Sequence, residues 1–401
     1  MASRALSPRN LNLSYSLETP EKDPEVPAFK GKRYKPTKIP KIPVTRSRSP
    51  PPLENTLPKS TPFSPIRHSK PPRVAQNLLP RRLQQSKVIE PSTIVNLFLT
   101  ETLMSEIAFN TNCYATTKDA GLEGRGWRPV FLEEMKTWFG IIIYMGVCRM
   151  PAVEDYWKNS GLYPLHHIRD YMSLTRFEQI RRYFHVAHPE APKETTSGRR
   201  LWHSKVDPLL NQLRAASRKY RRPPIKVSID EAMIQCTGHS KDTYKMPSKP
   251  IDQGYKFHCY AAAGYVYDFF PTSNHSGPDP IPSSGFPEVD EISATSRLVF
   301  HLMQRNCDEY GLDQSFDVFM DNFYTNLPLF SALRIRLGVG ACGTARSNSK
   351  DFPTELSIPK NSKLPYHWRT SLVVNGVAVM LWMDSAPIEK NPVRKAPMRQ
   401  V

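Results

Sequence analysis

No two of the six cysteines, at 113, 148, 236, 259, 307 and 342, stand in a Cys-x-x-Cys spacing. That excludes a zinc module of the common ligand pattern and a disulfide framework, and leaves the reduced thiols of an intracellular protein. Long apolar runs are missing too. The longest, Trp138 to Val147, spans about ten residues where a membrane helix needs about twenty, so it reads as a buried helix and no membrane partner is expected. The first residues have no apolar core of the signal-peptide kind. Acidic residues are scarce, 37 against 55 lysines and arginines, giving a formal charge of +18. Such an excess favours polyanions, nucleic acid first and an anionic membrane surface second. A nuclear or cytosolic chain fits these absences, and nuclear is the expectation taken forward.

What is present changes character along the chain. Residues 1–88 are dense in proline, from Pro8 through Pro50-Pro51-Pro52 to Pro80, and hold much of the positive charge. Few large apolar side chains are available there to offset the entropy of ordering, so a disordered basic tail is expected. Within it, Lys30-Gly31-Lys32-Arg33-Tyr34-Lys35 and Arg46-Ser47-Arg48 could serve nuclear import, phosphate contact or solubility alone. Residues 89–222 take a helical period. Ile94, Leu97, Phe98, Leu103 and Ile107 form one stripe, and Phe131, Met135, Trp138, Phe139 and Ile142 a second. A third helix, with Thr175 as a plausible N-cap, carries Phe177, Ile180, Tyr183 and Phe184, and leaves Arg176, Arg181 and Arg182 on other faces. Arg181 and Arg182 are candidate DNA contacts, or a solvated helix face. His166, His167 and His185 read as packing or surface residues.

From residue 223 the period becomes that of strands. Val227–Asp230, Tyr255–Gly264, Val266–Pro271, Phe316–Met320 and Val339–Thr344 read as five strands, with helices at 292–307 and 327–337. The order β-β-β-α-β-α-β is that of a ribonuclease-H-like mixed sheet with its first and fourth strands adjacent. This α/β domain is assigned to residues 223–346, and a partial β-rich insertion with a basic tail to 347–401, where 372–384 suggests a hairpin. The first and fourth strands each end on a carboxylate, Asp230 and Asp321. Side by side, these can hold one Mg²⁺ or Mn²⁺ ion, whose other positions go to water or phosphate. Two-metal phosphodiester chemistry normally needs a further carboxylate, and no third one is placed with them. By itself, an Asp at a strand end is as readily a turn or cap residue.

A resemblance adds to this reading. Ser228-Ile229-Asp230-Glu231-Ala232-Met233-Ile234, with Tyr244-Lys245-Met246-Pro247-Ser248-Lys249-Pro250 and Gly254-Tyr255-Lys256, resembles the first catalytic strand and basic hairpin of piggyBac-type transposases. Met320-Asp321-Asn322-Phe323-Tyr324-Thr325-Asn326 is similar to their second catalytic block, and Gly343-Thr344-Ala345-Arg346-Ser347-Asn348 to the strand after it. Upstream, Pro151-Ala152-Val153-Glu154-Asp155-Tyr156-Trp157 and Ser173–Ile180 resemble the family's helical dimerisation and DNA-binding domain. The likeness spans about residues 91–384. It implies a cut-and-paste DNA transposase fold with three catalytic aspartates, divalent metal, hairpin-ended intermediates, TTAA target sites and a homodimer. By position, Asp230 and Asp321 are the first two catalytic aspartates and metal ligands. The family's third Asp lies in a Gly-Gly-Val-Asp-like block, and its Cys/His-rich module further on; neither has a counterpart here. Lys245, Lys249, Lys256 and Arg346 flank the metal strands and are candidate phosphate contacts, or ordinary surface charge. Tyr324 and Trp382 read as core aromatics, with base stacking as the alternative.

Three functions remain open on these residues. One is a DNA-binding transposase relative lacking full cut-and-paste activity. A second is a working nuclease whose third carboxylate is Asp268, Asp317, Asp384 or a partner chain's. The third is a non-enzymatic protein that dimerises through its helices.

Overall fold

The structure, a computed structural model, describes residues 63–66, 74–86, 88–122, 124–161, 163–195, 198–247, 249–310, 316–358, 364–383 and 398–400. Contacts divide the chain after Thr56, and every described residue belongs to the second unit. The basic clusters at 30–35 and 46–48, and Asp384, lie outside the described residues.

Helices dominate as far as residue 220. α1 (Pro91–Phe98) opens on proline, whose missing N–H costs nothing in a first turn. α2 (Glu101–Thr117) is capped by Thr100, whose hydroxyl accepts from Leu103 N at 3.3 Å. α3 (Leu132–Val147) buries Met135, Trp138 and Ile141. Trp138 stacks between Phe177 and Phe184, and its indole N–H donates to the Phe177 carbonyl at 3.3 Å. α4 (Leu174–Tyr183) is capped by Ser173, not Thr175, so the helix begins earlier than predicted and takes Arg176 into its first turn. Arg176 is consequently buried, a correction to its expected outer position. Glu134 takes its guanidinium at two points, 2.8 and 2.6 Å, and the Trp127 ring lies 4.9 Å away. A buried cation is tolerated only when paired in this manner. α5 (Asp207–Tyr220) leads into the sheet. The sequence predicts no fixed structure before residue 89; among the described residues, Gln76–Asn77 pair with Arg221–Arg222 and Arg81–Gln84 make a helical turn.

The main sheet comprises β1 (Lys226–Gln235), β2 (Gln253–Ala262), β3 (Tyr265–Ser273), β4 (Asp317–Met320) and β5 (Gly340–Gly343). Their order is β3-β2-β1-β4-β5, with Gly277–Pro278 paired outside β3 and Tyr244–Lys245 against β2. β4 runs parallel to both β1 and β5, and the other pairs are antiparallel. α6 (Ala294–Tyr310) joins β3 to β4, and α7 (Leu327–Leu337) joins β4 to β5. This is the ribonuclease-H-like order that the sequence predicts. α7 matches its predicted span because both ends are written locally. Asn326 accepts from Leu329 N at 2.8 Å, and Gly338 closes the helix at φ +63°.

One face of the sheet carries the core. Val227, Ile229 and Tyr260 meet Val299, Leu302 and Met303 of α6 and Leu329 and Leu333 of α7. Side chains buried to this degree contribute about 1.5–3 kcal/mol each. Beyond β5, β6 (Arg369–Val374) and β7 (Val377–Met383) form a hairpin on Asn375-Gly376, both at positive φ, as a two-residue turn requires. Met398–Gln400 adds a third strand against β7. The predicted hairpin is thus present, and among the described residues no helix is long and apolar enough to cross a membrane.

Candidate metal and nucleic-acid site

Register brings the two predicted aspartates together. Ile229 of β1 stands opposite Met320, the last residue of β4, so the next residue on each strand is an Asp at the same rim. The loop after β4 is tight: Phe323 N donates to Asp321 Oδ1 at 2.9 Å, and Thr325 Oγ1 donates to the Asp321 carbonyl at 2.7 Å. Gly343 makes room for this loop, since a Cβ there would fall 2.2 Å from Thr325 Oγ1. Asp230 Oδ1 is likewise fixed, accepting from Glu231 N at 2.7 Å. Both aspartates are exposed.

A third carboxylate joins them, and it was not singled out from the sequence. Oxygen atoms of Asp230, Glu231 and Asp321 all lie within 4.8 Å of one another. Neighbours in a strand point to opposite faces, which argues against two of them sharing a site. Here β4 ends at Met320, so past Ile229 no strand pairs with β1 on that side, although β2 continues along its other edge, and the carboxylates of Asp230 and Glu231 both reach the open edge. Glu231 differs from the aspartates in its partners. Its side chain is only 8% exposed and is ion-paired to Lys249 at 3.3 Å and Lys256 at 3.5 Å.

Those pairs change the reading of two predicted phosphate contacts. The Lys256 side chain is 7% exposed, held between Glu231 and the Phe323 ring 4.0 Å away, so it cannot lie along a DNA backbone. Lys249, 38% exposed, is shared between Glu231 and solvent. Lys245 and Arg346 are exposed, and Arg346 is aimed at the site by Asn322, whose Oδ1 accepts at 3.1 Å. Arg181 and Arg182 are exposed on α4. Tyr324 is fully buried, in accord with a core aromatic.

The candidate third acids are elsewhere. Asp317 begins β4, about 13 Å along the strand from Asp321 at 3.3 Å per residue. Asp268 pairs with Tyr260, and Tyr260 with Ile229, so its side chain leaves the face opposite that of Asp230. There it is fully buried and paired with Arg214, Arg218 and Arg305. Asp384 is outside the described residues.

Behind the carboxylates, Tyr324 Oη and His258 Nδ1 are 2.7 Å apart. Burial first, and then the charge of Lys256, pushes His258 down to about 4. Burial also raises the Tyr324 phenol, helped by the negative charges of Glu231, Asp230 and Asp321. The tyrosine therefore donates to a neutral imidazole near pH 7. His203 is the opposite case. Burial works against its charge, yet hydrogen bonds to Asp207 (2.5 Å) and Asp279 (2.6 Å) raise it to about 9. The stability from His203 is fully present below its unfolded value of about 6.5 and is lost as pH rises toward 9. That from His258 is present above about 6.5 and is lost as pH falls toward 4. Denaturant midpoints measured against pH should flatten between 6.5 and 9 in His203→Gln, removing about 1–2 kcal/mol of alkaline loss after allowance for solvent screening. An unchanged slope would mean the two ion pairs do not set it.

The family model described as Transposase IS4 matches residues 90–383. The chain belongs to the piggyBac transposase family. The human PiggyBac transposable element-derived protein 2 is 27% identical over 325 residues, covering 79% of this chain and 50% of the relative. The human PiggyBac transposable element-derived protein 3 is 26% identical over 304 residues, covering 74% and 47%. The cryo-EM structure of the piggyBac transposase synaptic complex with hairpin DNA shares the fold, with a TM-score of 0.61 at 18% identity over 78% of this chain and 60% of that one. This transposase relative thus spans about half the length of the curated relatives it matches.

Proposed function

We propose that this transposase relative binds DNA across the rim where β1 and β4 end, that Asp230 and Asp321 hold one divalent cation there, and that full cut-and-paste strand transfer is not among its activities. The observation that carries this reading is the commitment of Glu231 to Lys249 and Lys256. Three carboxylates against two ammonium groups leave a net charge of −1. Such a rim suits one ion, whereas two-metal cleavage places a second ion about 3.5–4 Å from the first and needs more negative charge to hold it.

The donor set fits Mg²⁺ or Mn²⁺. All three groups are hard carboxylate oxygens, and Mg²⁺ takes one or two of these and keeps waters on its other positions. The backbone N–H groups of Glu231 and Phe323 each fix one oxygen of an aspartate and leave the second for the ion. A bound ion supplies positive charge to a phosphate; the protein's own part is to fix the two aspartates and to offer Lys245 and Arg346 to the backbone, with Arg181 and Arg182 extending the contact. Support for DNA as partner comes from the net charge of +18 and from the hairpin DNA in the related solved complex. A nuclear location, a homodimer and recognition of transposon ends or TTAA sites belong to the same reading.

A metal-dependent nuclease with Glu231 as the third ligand is the second reading, favoured by the 4.8 Å convergence. Binding of TTAA-flanked hairpin DNA, followed against salt in Mg²⁺ or Mn²⁺, tests the first. Log affinity should fall with log salt by about 0.9 per phosphate neutralised, and Lys245→Ala and Arg346→Ala should each lower that slope by about one. A flat salt response would refute DNA binding. Metal-dependent cutting that Asp230→Asn abolishes would establish the nuclease instead.

A further inference from the structure

Phe63–Ile66 precede every described element of the fold in sequence, yet they are seated on it. They lie along a groove of about 340 Å³ between the edge strand β5 and the β6–β7 hairpin, with Phe319, Phe330 and Val377 among its walls. Phe319 is 40% exposed there and Cys342 of β5 is exposed, so this end of the sheet has an apolar face with little of the fold upon it. Arg334 of α7 holds the segment at two points. Its Nη2 donates to the Ser64 carbonyl, and its guanidinium carbon lies 5.6 Å from the centre of the Phe63 ring.

Ser64 itself is exposed and is followed by Pro65 and, three positions on, by Arg67. Kinases with an apolar pocket after the acceptor residue accept this arrangement, since proline brings no N–H that would need a partner there. The first 65 residues hold four more pairs of this type: Ser7-Pro8, Thr19-Pro20, Ser49-Pro50 and Thr61-Pro62. Ser64 has a guanidinium already bonded to its own backbone, and the other four pairs lie outside the described residues.

We propose that Ser64 is a phosphorylation site for a proline-directed protein kinase, and that the phosphate fastens residues 63–66 onto the groove by pairing with Arg334. In the transfer, the Ser64 oxygen bonds to the γ-phosphorus of a nucleoside triphosphate as the bond to its bridging oxygen breaks. The nucleoside diphosphate leaves with that electron pair, and the hydroxyl proton passes to the base of the kinase. The new group carries a charge of about −1.5 to −2 and three acceptor oxygens, and a guanidinium binds such a group with two parallel hydrogen bonds. Asp317, the acid in the groove lining, has its carboxylate against Gly340, whereas Ser64 is exposed and is not among the lining residues.

The test treats the full chain with a proline-directed kinase and Mg·ATP, maps phosphate by mass spectrometry, and follows amide hydrogen exchange of the peptide containing Ser64. Phosphate is expected on Ser64 and absent in Ser64→Ala. Exchange in that peptide should slow about fivefold on phosphorylation. The slowing should vanish in Arg334→Ala, with Arg334→Gln as the second variant should alanine impair folding. Labelling of the other Ser/Thr-Pro pairs without Ser64 would overturn the site. Exchange that is unchanged or faster after phosphorylation, or slowing that survives both Arg334 variants, would overturn the fastening.

Discussion

Asp268→Asn is expected to lower stability by about 3–5 kcal/mol, the usual cost of leaving buried charge without its counter-ion. The carboxylate is fully buried within β3, and three arginines depend on it. Arg214 Nε donates to Oδ1 at 2.6 Å, and Arg305 and Arg218 reach Oδ2 at 3.0 and 3.4 Å. Arg218, only 6% exposed, also bonds Asn306 and Glu309, so α5, β3 and α6 share one charge network. Asparagine keeps the size of the side chain and removes its charge, which isolates the electrostatic part. Arg305→Ala is the contrasting case: its side chain is 43% exposed, and its loss should cost less than about 1 kcal/mol. Urea unfolding of the three chains provides the comparison. An Asp268→Asn midpoint close to that of the parent chain would mean the arginines find solvent readily, and the junction would then rest on apolar packing alone.

The same residue explains which parts of the fold could be read in advance. Strand order and α7 were legible because their signals are local: β-branched runs, an Asn cap, a closing glycine. The rim carboxylates Asp230 and Asp321 were legible for the same reason, each ending a short apolar run. Asp268 lies inside the apolar run Val266–Pro271, and a carboxylate there demands cations; Arg214 and Arg218, one helical turn apart on α5, were the available sign. Glu231 was hidden by the alternation rule, which fails where β4 stops short of its neighbour. Lys256 and Arg176 were hidden because sequence cannot tell a lysine or arginine meeting buried acid from one meeting water. Their partners, Glu231 and Glu134, are brought to them by tertiary folding. Local chemistry fixed where the carboxylates stand, and long-range pairing decided which cations are neutralised and which stay exposed.

Lys256→Met should therefore do two things at once. In chelator, it should destabilise the chain by about 2–4 kcal/mol, because Glu231, 8% exposed, keeps only the half-solvated Lys249 as its counter-ion. In Mg²⁺ or Mn²⁺ much of that loss should return. The rim's net charge passes from −1 to −2 when the ammonium goes, and divalent affinity should rise on the order of tenfold. An ion present at 100 times its dissociation constant stabilises the fold by about 2.7 kcal/mol. The difference in thermal midpoint between metal and chelator should thus be larger in the variant than in the parent chain. Lys249→Met should show the same pattern at reduced size, since its side chain is already 38% exposed. A Lys256→Met chain that is destabilised but answers metal no differently from the parent would show that the ammonium of Lys256 does not restrain the rim's affinity for the ion.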